Sequence, residues 1–211
     1  MKIASEGWPF VVPLTLLGLV GVWRWPWVGG VLIALGLFCA FFFRDPERSV
    51  PQDPGLVVSP ADGTVVQVLP APAGNPLGAE ATQVSIFLSI FNVHVNRAPI
   101  AGSVAELTYN KGEFLPAFDD KASLRNEQNC AVIEGDGARV AFKQIAGLIA
   151  RRIVFRKKVG DRLARGERVG LIKFGSRVDI FLPKGAEIRV RVGDRVRGGA
   201  SVIARLPEGR S

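Results

Sequence analysis

Histidine is the scarcest reactive group in this chain. His94 is its single imidazole, and Cys39 and Cys130 are its two thiols. Those residues cannot assemble the usual Cys/His zinc site, so no metal is expected. Three short stretches hold the other groups of interest. Ser59-Pro60-Ala61-Asp62-Gly63-Thr64 places an aspartate in a turn, and Phe91-Asn92-Val93-His94-Val95-Asn96-Arg97-Ala98-Pro99 carries the histidine. Phe174-Gly175-Ser176-Arg177-Val178-Asp179 sets a serine directly after a glycine. Singly, each has an ordinary structural reading: a turn aspartate, a hydrogen-bonded histidine near a strand end, a Gly-Ser bend. Together, Asp62, His94 and Ser176 are the set that activates a hydroxyl: serine attacks, histidine takes its proton, aspartate orients the ring. The nucleophile elbow Gly-x-Ser-x-Gly is absent. A serine at a strand start can instead attack the carbonyl of the residue before it, and Gly175 has no side chain to hinder that approach.

The elements that must position these groups read as strands. From Val57 onward, short apolar or alternating runs are separated by Gly, Pro, Asp and Asn, which predicts strands over 63–69, 83–91, 103–109, 130–134, 138–144, 168–173, 178–182, 187–192 and 200–206. Gly135-Asp136-Gly137 between two apolar runs predicts a hairpin. Short helical turns are expected within Lys111 to Asn126 and Ile145 to Arg152. Val159-Gly160-Asp161-Arg162 recurs as Val192-Gly193-Asp194-Arg195, each copy followed by a glycine and an apolar run. Gly-Asp marks tight turns, so two similar hairpin units are expected, a pattern common in lipoyl- and biotinyl-type sandwiches. The fold class is mainly β (α+β).

The amino-terminal residues are of another kind. Residues 7–43 hold one charge, Arg24, which separates an apolar run over 7–23 from a second over 25–43. A membrane-crossing helix needs about 17–25 apolar residues. Trp8, Trp23, Trp25 and Trp27 lie at the run ends, where amphipathic rings favour an interface. A transmembrane helical hairpin turning at Arg24 to Pro26 is expected, with a single span as the alternative. A cleaved signal peptide is disfavoured by the length of the apolar stretch. The expected domains are an anchor over 1–48 and a catalytic β domain over 49–211. The net charge is +8, and residues 139–173 hold eleven Lys/Arg against Asp161 and Glu167. Beside an apolar anchor, that surplus is expected to attract anionic lipid, at about 1 kcal/mol per basic residue near the surface. No zinc finger, basic zipper or RNA-binding aromatic motif points to nucleic acid.

Seven motifs in order resemble the short, membrane-anchored form of the phosphatidylserine decarboxylase proenzymes. They are Phe42-Phe43-Arg44-Asp45-Pro46-Glu47-Arg48, Ser59-Pro60-Ala61-Asp62-Gly63, Asn92 to Pro99, Asp120-Lys121-Ala122-Ser123, Asn126-Glu127-Gln128-Asn129, Gln144 to Arg152, and Phe174-Gly175-Ser176-Arg177. Long forms carry Leu-Gly-Ser-Thr at the last motif and a second histidine where this chain has Arg97, which leaves His94 alone. The resemblance implies self-cleavage between Gly175 and Ser176 into a β chain, 1–175, and an α chain, 176–211, that stay together. It implies that Ser176 becomes a covalent pyruvoyl group, that this cofactor forms a Schiff base with phosphatidylserine, and that its carbonyl is the electron sink for CO2 loss, giving phosphatidylethanolamine. In family terms His94 is the base and Asp62 its orienting partner. The expected location is the cell membrane, with the catalytic domain on the cytoplasmic face as Arg44 and Arg48 favour. Two rival readings are a membrane-anchored lipoyl-like adaptor without catalysis and the same chemistry on an archaeal ether-linked serine lipid.

Overall fold

The computed structural model describes residues 2–112, 126–135, 137–147, 152–173 and 176–207. The chain divides into two compact units, Met1–Glu47 and Arg48–Ser211.

The first unit is helical. Helix α1 (Trp8–Arg24) and helix α2 (Pro26–Phe42) are joined by Trp25 alone, whose extended backbone reverses the chain. Pro26 starts α2 where its missing N–H is no loss. Small residues let the helices approach closely: a Cβ placed on Gly29 would lie 2.2 Å from the Val22 nitrogen, and one on Gly18 would lie 2.7 Å from Ile33. With the turn that precedes it, α1 forms the helix Ser5–Arg24, long and apolar enough to cross a membrane; Pro26–Phe42 is a shorter apolar helix. Strands β1 (Lys2–Ile3) and β2 (Arg44–Asp45) pair and bring the two ends of this unit together.

The second unit is a β domain. Its strands are β3 (Leu56–Val58), β4 (Gly63–Pro70), β5 (Ala81–Leu88), β6 (Val95–Arg97), β7 (Gly102–Asn110), β8 (Gln128–Gly135) and β9 (Ala138–Ala146), followed by β10 (Ile153–Phe155), β11 (Arg162–Leu163), β12 (Arg168–Ile172), β13 (Ser176–Pro183), β14 (Glu187–Ile188), β15 (Arg195–Val196) and β16 (Val202–Arg205). Eight of them form an antiparallel sheet in the order β11-β7-β8-β9-β13-β5-β4-β15; β10-β12-β6 and β14-β16-β3 make two smaller sheets. The strands alternate. On β13, Val178, Ile180 and Leu182 enter the main core with Ile86, Ile133 and Phe142, whereas Phe181 joins a second cluster with Cys130 and Ala141.

The Gly-Asp echo of the sequence forms two equivalent turns. Gly160 N–H donates to Val104 O and Gly193 N–H to Val65 O, both at 2.8 Å. Asp161 accepts the Lys158 N–H and Asp194 accepts the Arg191 N–H in the same way. The correspondence continues between the segments the turns rest on: Val58 N–H donates to Pro99 O and Arg97 N–H donates to Pro60 O, each at 2.9 Å. The two turns and the two segments they rest on thus make matching backbone bonds.

Several sequence expectations shift. The run 83–91 stops pairing at Leu88, because Asn92 closes a turn with Ser89. Of 187–192 the strand covers Glu187–Ile188, with the Arg189 N–H adding one bond to Ile203 O, because the Gly193-Asp194 turn begins at Arg191. Ile145 and Ala146 end β9 as strand residues, not helical ones. The remaining helical expectation falls largely on 113–125 and 148–151, outside the described residues. The hairpin between β8 and β9 forms with Gly135 opposite Ala138, Asp136 lying outside the described residues.

Two glycines separate strain from clash. A Cβ on Gly170 would lie 2.0 Å from the Val154 carbonyl oxygen across the β10–β12 pair, while Gly193 has open space but a φ of +98. Gly193→Ala is expected to cost about 1–2 kcal/mol from the left-handed backbone alone. Gly170→Ala is expected to cost about 3 kcal/mol, because two strands must part. Thermal unfolding in detergent checks the order: Gly170→Ala should melt well below Gly193→Ala.

Candidate active site

Ser176 opens β13, the strand held on both sides by long neighbours. Its Cα pairs with Leu88 of β5 and Ala146 of β9, so its side chain shares the inner face with theirs. It is fully buried, and among the described residues its hydroxyl has no hydrogen-bond partner. A buried unpaired hydroxyl costs about 1–3 kcal/mol, so its retention needs a chemical reason. Phe174 and Gly175 lie outside the described residues.

His94 is buried and directly precedes β6. Its Nδ1 lies 3.0 Å from the Asn92 carbonyl oxygen. A carbonyl only accepts, so Nδ1 carries the hydrogen and the neutral ring keeps its basic lone pair on Nε2. The His94 carbonyl accepts the Ile172 N–H at 3.3 Å, which fixes the histidine to β12, the strand preceding Ser176 in the chain.

Asp62 is buried at the start of β4. Its Oδ1 accepts the Gly198 N–H and its Oδ2 accepts Arg48, both at 2.7 Å. Ser59 shapes the approach, its hydroxyl donating to Ala61 O at 2.6 Å. Asp62 and Asn92 line one cleft of about 460 Å³, together with Thr64, Ser89, Arg195 and Arg197. A second hollow beside the Gly160-Asp161 turn, lined by Gly102, Ser103, Glu134, Arg162 and Leu163, encloses about 340 Å³. Both hollows hold a carboxylate, Asp62 in the first and Glu134, from the neighbouring strand β8, in the second.

Polar chains brace the site on both faces of the sheet. On the inner face, Gln144 donates to Asn96 Oδ1 at 2.9 Å and accepts Asn129 at 3.2 Å, tying β6, β9 and β8 together. On the outer face, Arg177 donates to Asp179 at 2.7 Å and to Ser85 at 2.8 Å, and Gln83 donates to Asp179 at 3.1 Å. Burial pushes the Cys130 thiol up to about 11, so it packs as an apolar group and is no rival nucleophile. Among the described residues no group of three or more His, Cys, Asp or Glu is placed to hold a metal.

Sequence reasoning named Asp62, His94 and Ser176. It gave no role to Asn92, which sets the imidazole tautomer, nor to the Arg177–Asp179 pair beside the serine. Arg48 entered it as the end of the first motif and as a charge next to the anchor, whereas it grips Asp62. Motif spacing could have suggested Asn92, two residues before the only histidine; nothing local marks Arg48 and Asp62 as partners.

Fold and site define a mainly β protein that buries a serine hydroxyl at the head of a central strand, with one histidine and one cleft aspartate. Residues 35–204 match the family described as phosphatidylserine decarboxylase. The phosphatidylserine decarboxylase proenzyme of Symbiobacterium thermophilum is 50% identical over 98% of this chain and 96% of its own length. That of Solibacter usitatus is 48% identical over the full length of both, and that of Geobacter sulfurreducens is 49% identical over 97% of each. The chain belongs to the phosphatidylserine decarboxylase family.

Removing Asp179 would leave the Arg177 guanidinium buried without its countercharge. Asp179→Ala is expected to destabilise the protein by about 3–5 kcal/mol, the range for breaking a buried pair from one side. Thermal unfolding of the purified protein in detergent checks this, and Asp179→Asn should recover part of the loss by keeping the Gln83 contact.

Proposed function

We propose that this chain is a self-processing enzyme that decarboxylates phosphatidylserine to phosphatidylethanolamine, with Ser176 as the source of its pyruvoyl group. The carrying observation is the fully buried Ser176 hydroxyl, with no hydrogen-bond partner among the described residues, at the first position of β13. A hydroxyl destined to stay a side chain in that place would be paired or replaced by a methyl group.

In maturation, the Ser176 oxygen attacks the Gly175 carbonyl and the peptide becomes an ester. Loss of the serine α-proton expels the upstream chain as a carboxylate and leaves a dehydroalanine, which takes up water and releases ammonia. Nε2 of His94 is the proton acceptor in this reading, since Nδ1 is committed to Asn92. Asp62, held by Arg48 and the Gly198 N–H, supports the imidazole electrostatically from the cleft. A pyruvoyl group at the head of β13 would supply a carbonyl electron sink for loss of CO2. The buried inner face around Leu88 and Ala146 would keep water from it. The α and β chains remain one body through the pairing of β13 with β5 and β9. The helix Ser5–Arg24 is the membrane anchor in this reading, and Arg44 beside it favours a cytoplasmic catalytic domain.

Intact mass spectrometry tests the cleavage. The protein is expected as two chains, 1–175 and 176–211, the smaller without a free amino terminus. Ser176→Ala should give one chain of 22.7 kDa. A wild-type protein that stays whole yet decarboxylates the lipid would refute the pyruvoyl reading.

His94→Ala and Asp62→Ala are expected to slow self-cleavage by about 10²–10⁴-fold, the usual worth of positioned acid–base help. A time course on a denaturing gel measures it. Cleavage at the wild-type rate in both variants would reduce the two residues to structural roles.

A further inference from the structure

The turn that closes the cleft has an unusual composition. Asn92 N–H donates to Ser89 O at 2.9 Å, so Ile90 and Phe91 occupy the two central positions of a β-turn. Those positions ordinarily favour Pro, Gly, Asn, Asp or Ser. Here they hold large apolar side chains that are 37% and 64% exposed. The turn is nonetheless tightly built: Asn92 Oδ1 accepts both the Ser89 N–H at 2.9 Å and the Ser89 hydroxyl at 2.8 Å. Apolar groups displayed on a braced turn gain nothing from water, and Phe91 also lines the mouth of the cleft.

Two exposed cations share that cleft. Arg195 and Arg197 line the same cleft and flank the buried Val196, so both project to one side of an extended segment. Among the described residues neither guanidinium has a hydrogen-bond or ion-pair partner. An apolar tip beside paired free guanidinium groups matches a phospholipid at a membrane interface: acyl chain against the tip, phosphodiester against the forked donors.

We propose that Ile90 and Phe91 form a lipid-inserting lip, and that Arg195 and Arg197 bind the phosphodiester of the lipid drawn into the cleft. This inference rests on the phospholipid substrate proposed above and adds how the lipid is taken from the bilayer. The lip is tied to the chemistry through one residue, because the Asn92 carbonyl that ends the turn also holds His94 Nδ1. Seating the lip therefore also steadies the imidazole.

The test uses the full chain in vesicles of phosphatidylcholine and phosphatidylserine. A Phe91→Cys variant carrying an environment-sensitive fluorophore should show blue-shifted emission that brominated acyl chains quench. Phe91→Ser should lower the ratio of turnover on bilayer phosphatidylserine to turnover on monomeric dibutanoyl phosphatidylserine about tenfold, since full burial of a phenylalanine is worth somewhat more than a factor of ten. Arg195→Gln with Arg197→Gln should raise KM for both lipid forms, because both present the same phosphodiester. Water-like emission together with an unchanged ratio would overturn the lip, and an unchanged KM in the arginine variant would overturn the phosphate assignment. A wild-type protein inactive on both lipids would instead sink the substrate reading, which keeps the two failures apart.

Discussion

The placement of β13 is the constraint on which the rest depends. Ser176 is buried because the strand it heads is paired along its length with β5 and over six residues with β9. Val178, Ile180 and Leu182 are fully buried below it, and each such side chain contributes about 1.5–3 kcal/mol relative to exposure. A backbone break just before the strand therefore leaves its carboxy-terminal piece embedded in the sheet. The Arg177–Asp179 pair adds little net stability but fixes orientation, since its hydrogen bonds reach β5 and admit one arrangement of the strand.

The matching turns account for two hollows on the domain. Two copies of one turn-and-strand unit cross at Pro60 and Pro99, and each leaves a hollow beside its Gly-Asp turn. The two hollows differ in what lines them. Asp62 lines one hollow and Glu134 the other, and the braced turn over Ser89 to Asn92 lines only the first. Arg97 and Val58 donate equivalent backbone bonds, yet only Arg97 carries a charged side chain, which donates to Gly166 O.

Charge counted along the chain is a poor guide to charge available to a ligand. The basic surplus of 139–173 looks like a lipid-attracting face, but many of those groups are engaged. Arg139 bonds Glu106, Lys157 bonds Glu167, and Arg165 donates to the carbonyls of Pro51 and Asp53. Burial raises the Glu167 carboxyl, but the bonds from Lys157 and the Ala164 N–H outweigh it, and the net displacement is downward. The guanidinium groups that line the cleft without a partner among the described residues, Arg195 and Arg197, belong to a less basic part of the sequence.

The sequence by itself determined the local features. Alternating apolar residues separated by Gly and Asn marked most long strands, two apolar runs around Arg24 marked the helices, and the repeated Val-Gly-Asp-Arg marked the paired turns. Each is written in neighbours a few residues apart, where periodicity and turn chemistry act. It also named His94, the only imidazole in the chain, and Asp62 and Ser176 through the short motifs that carry them. Only the tertiary structure decided their partners. Arg48 on Asp62, Asn96 on Gln144, and Ser176 between Leu88 and Ala146 are contacts across long stretches of chain, set by strand order and register. Strands of two or three residues, such as Arg162–Leu163 and Arg195–Val196, also escaped notice. They are too short to show alternation and exist because a neighbouring strand offers them a ladder. The exposed Ile90 and Phe91 show the same division, since an apolar pair after a strand reads as more strand until Asn92 is seen to turn the chain.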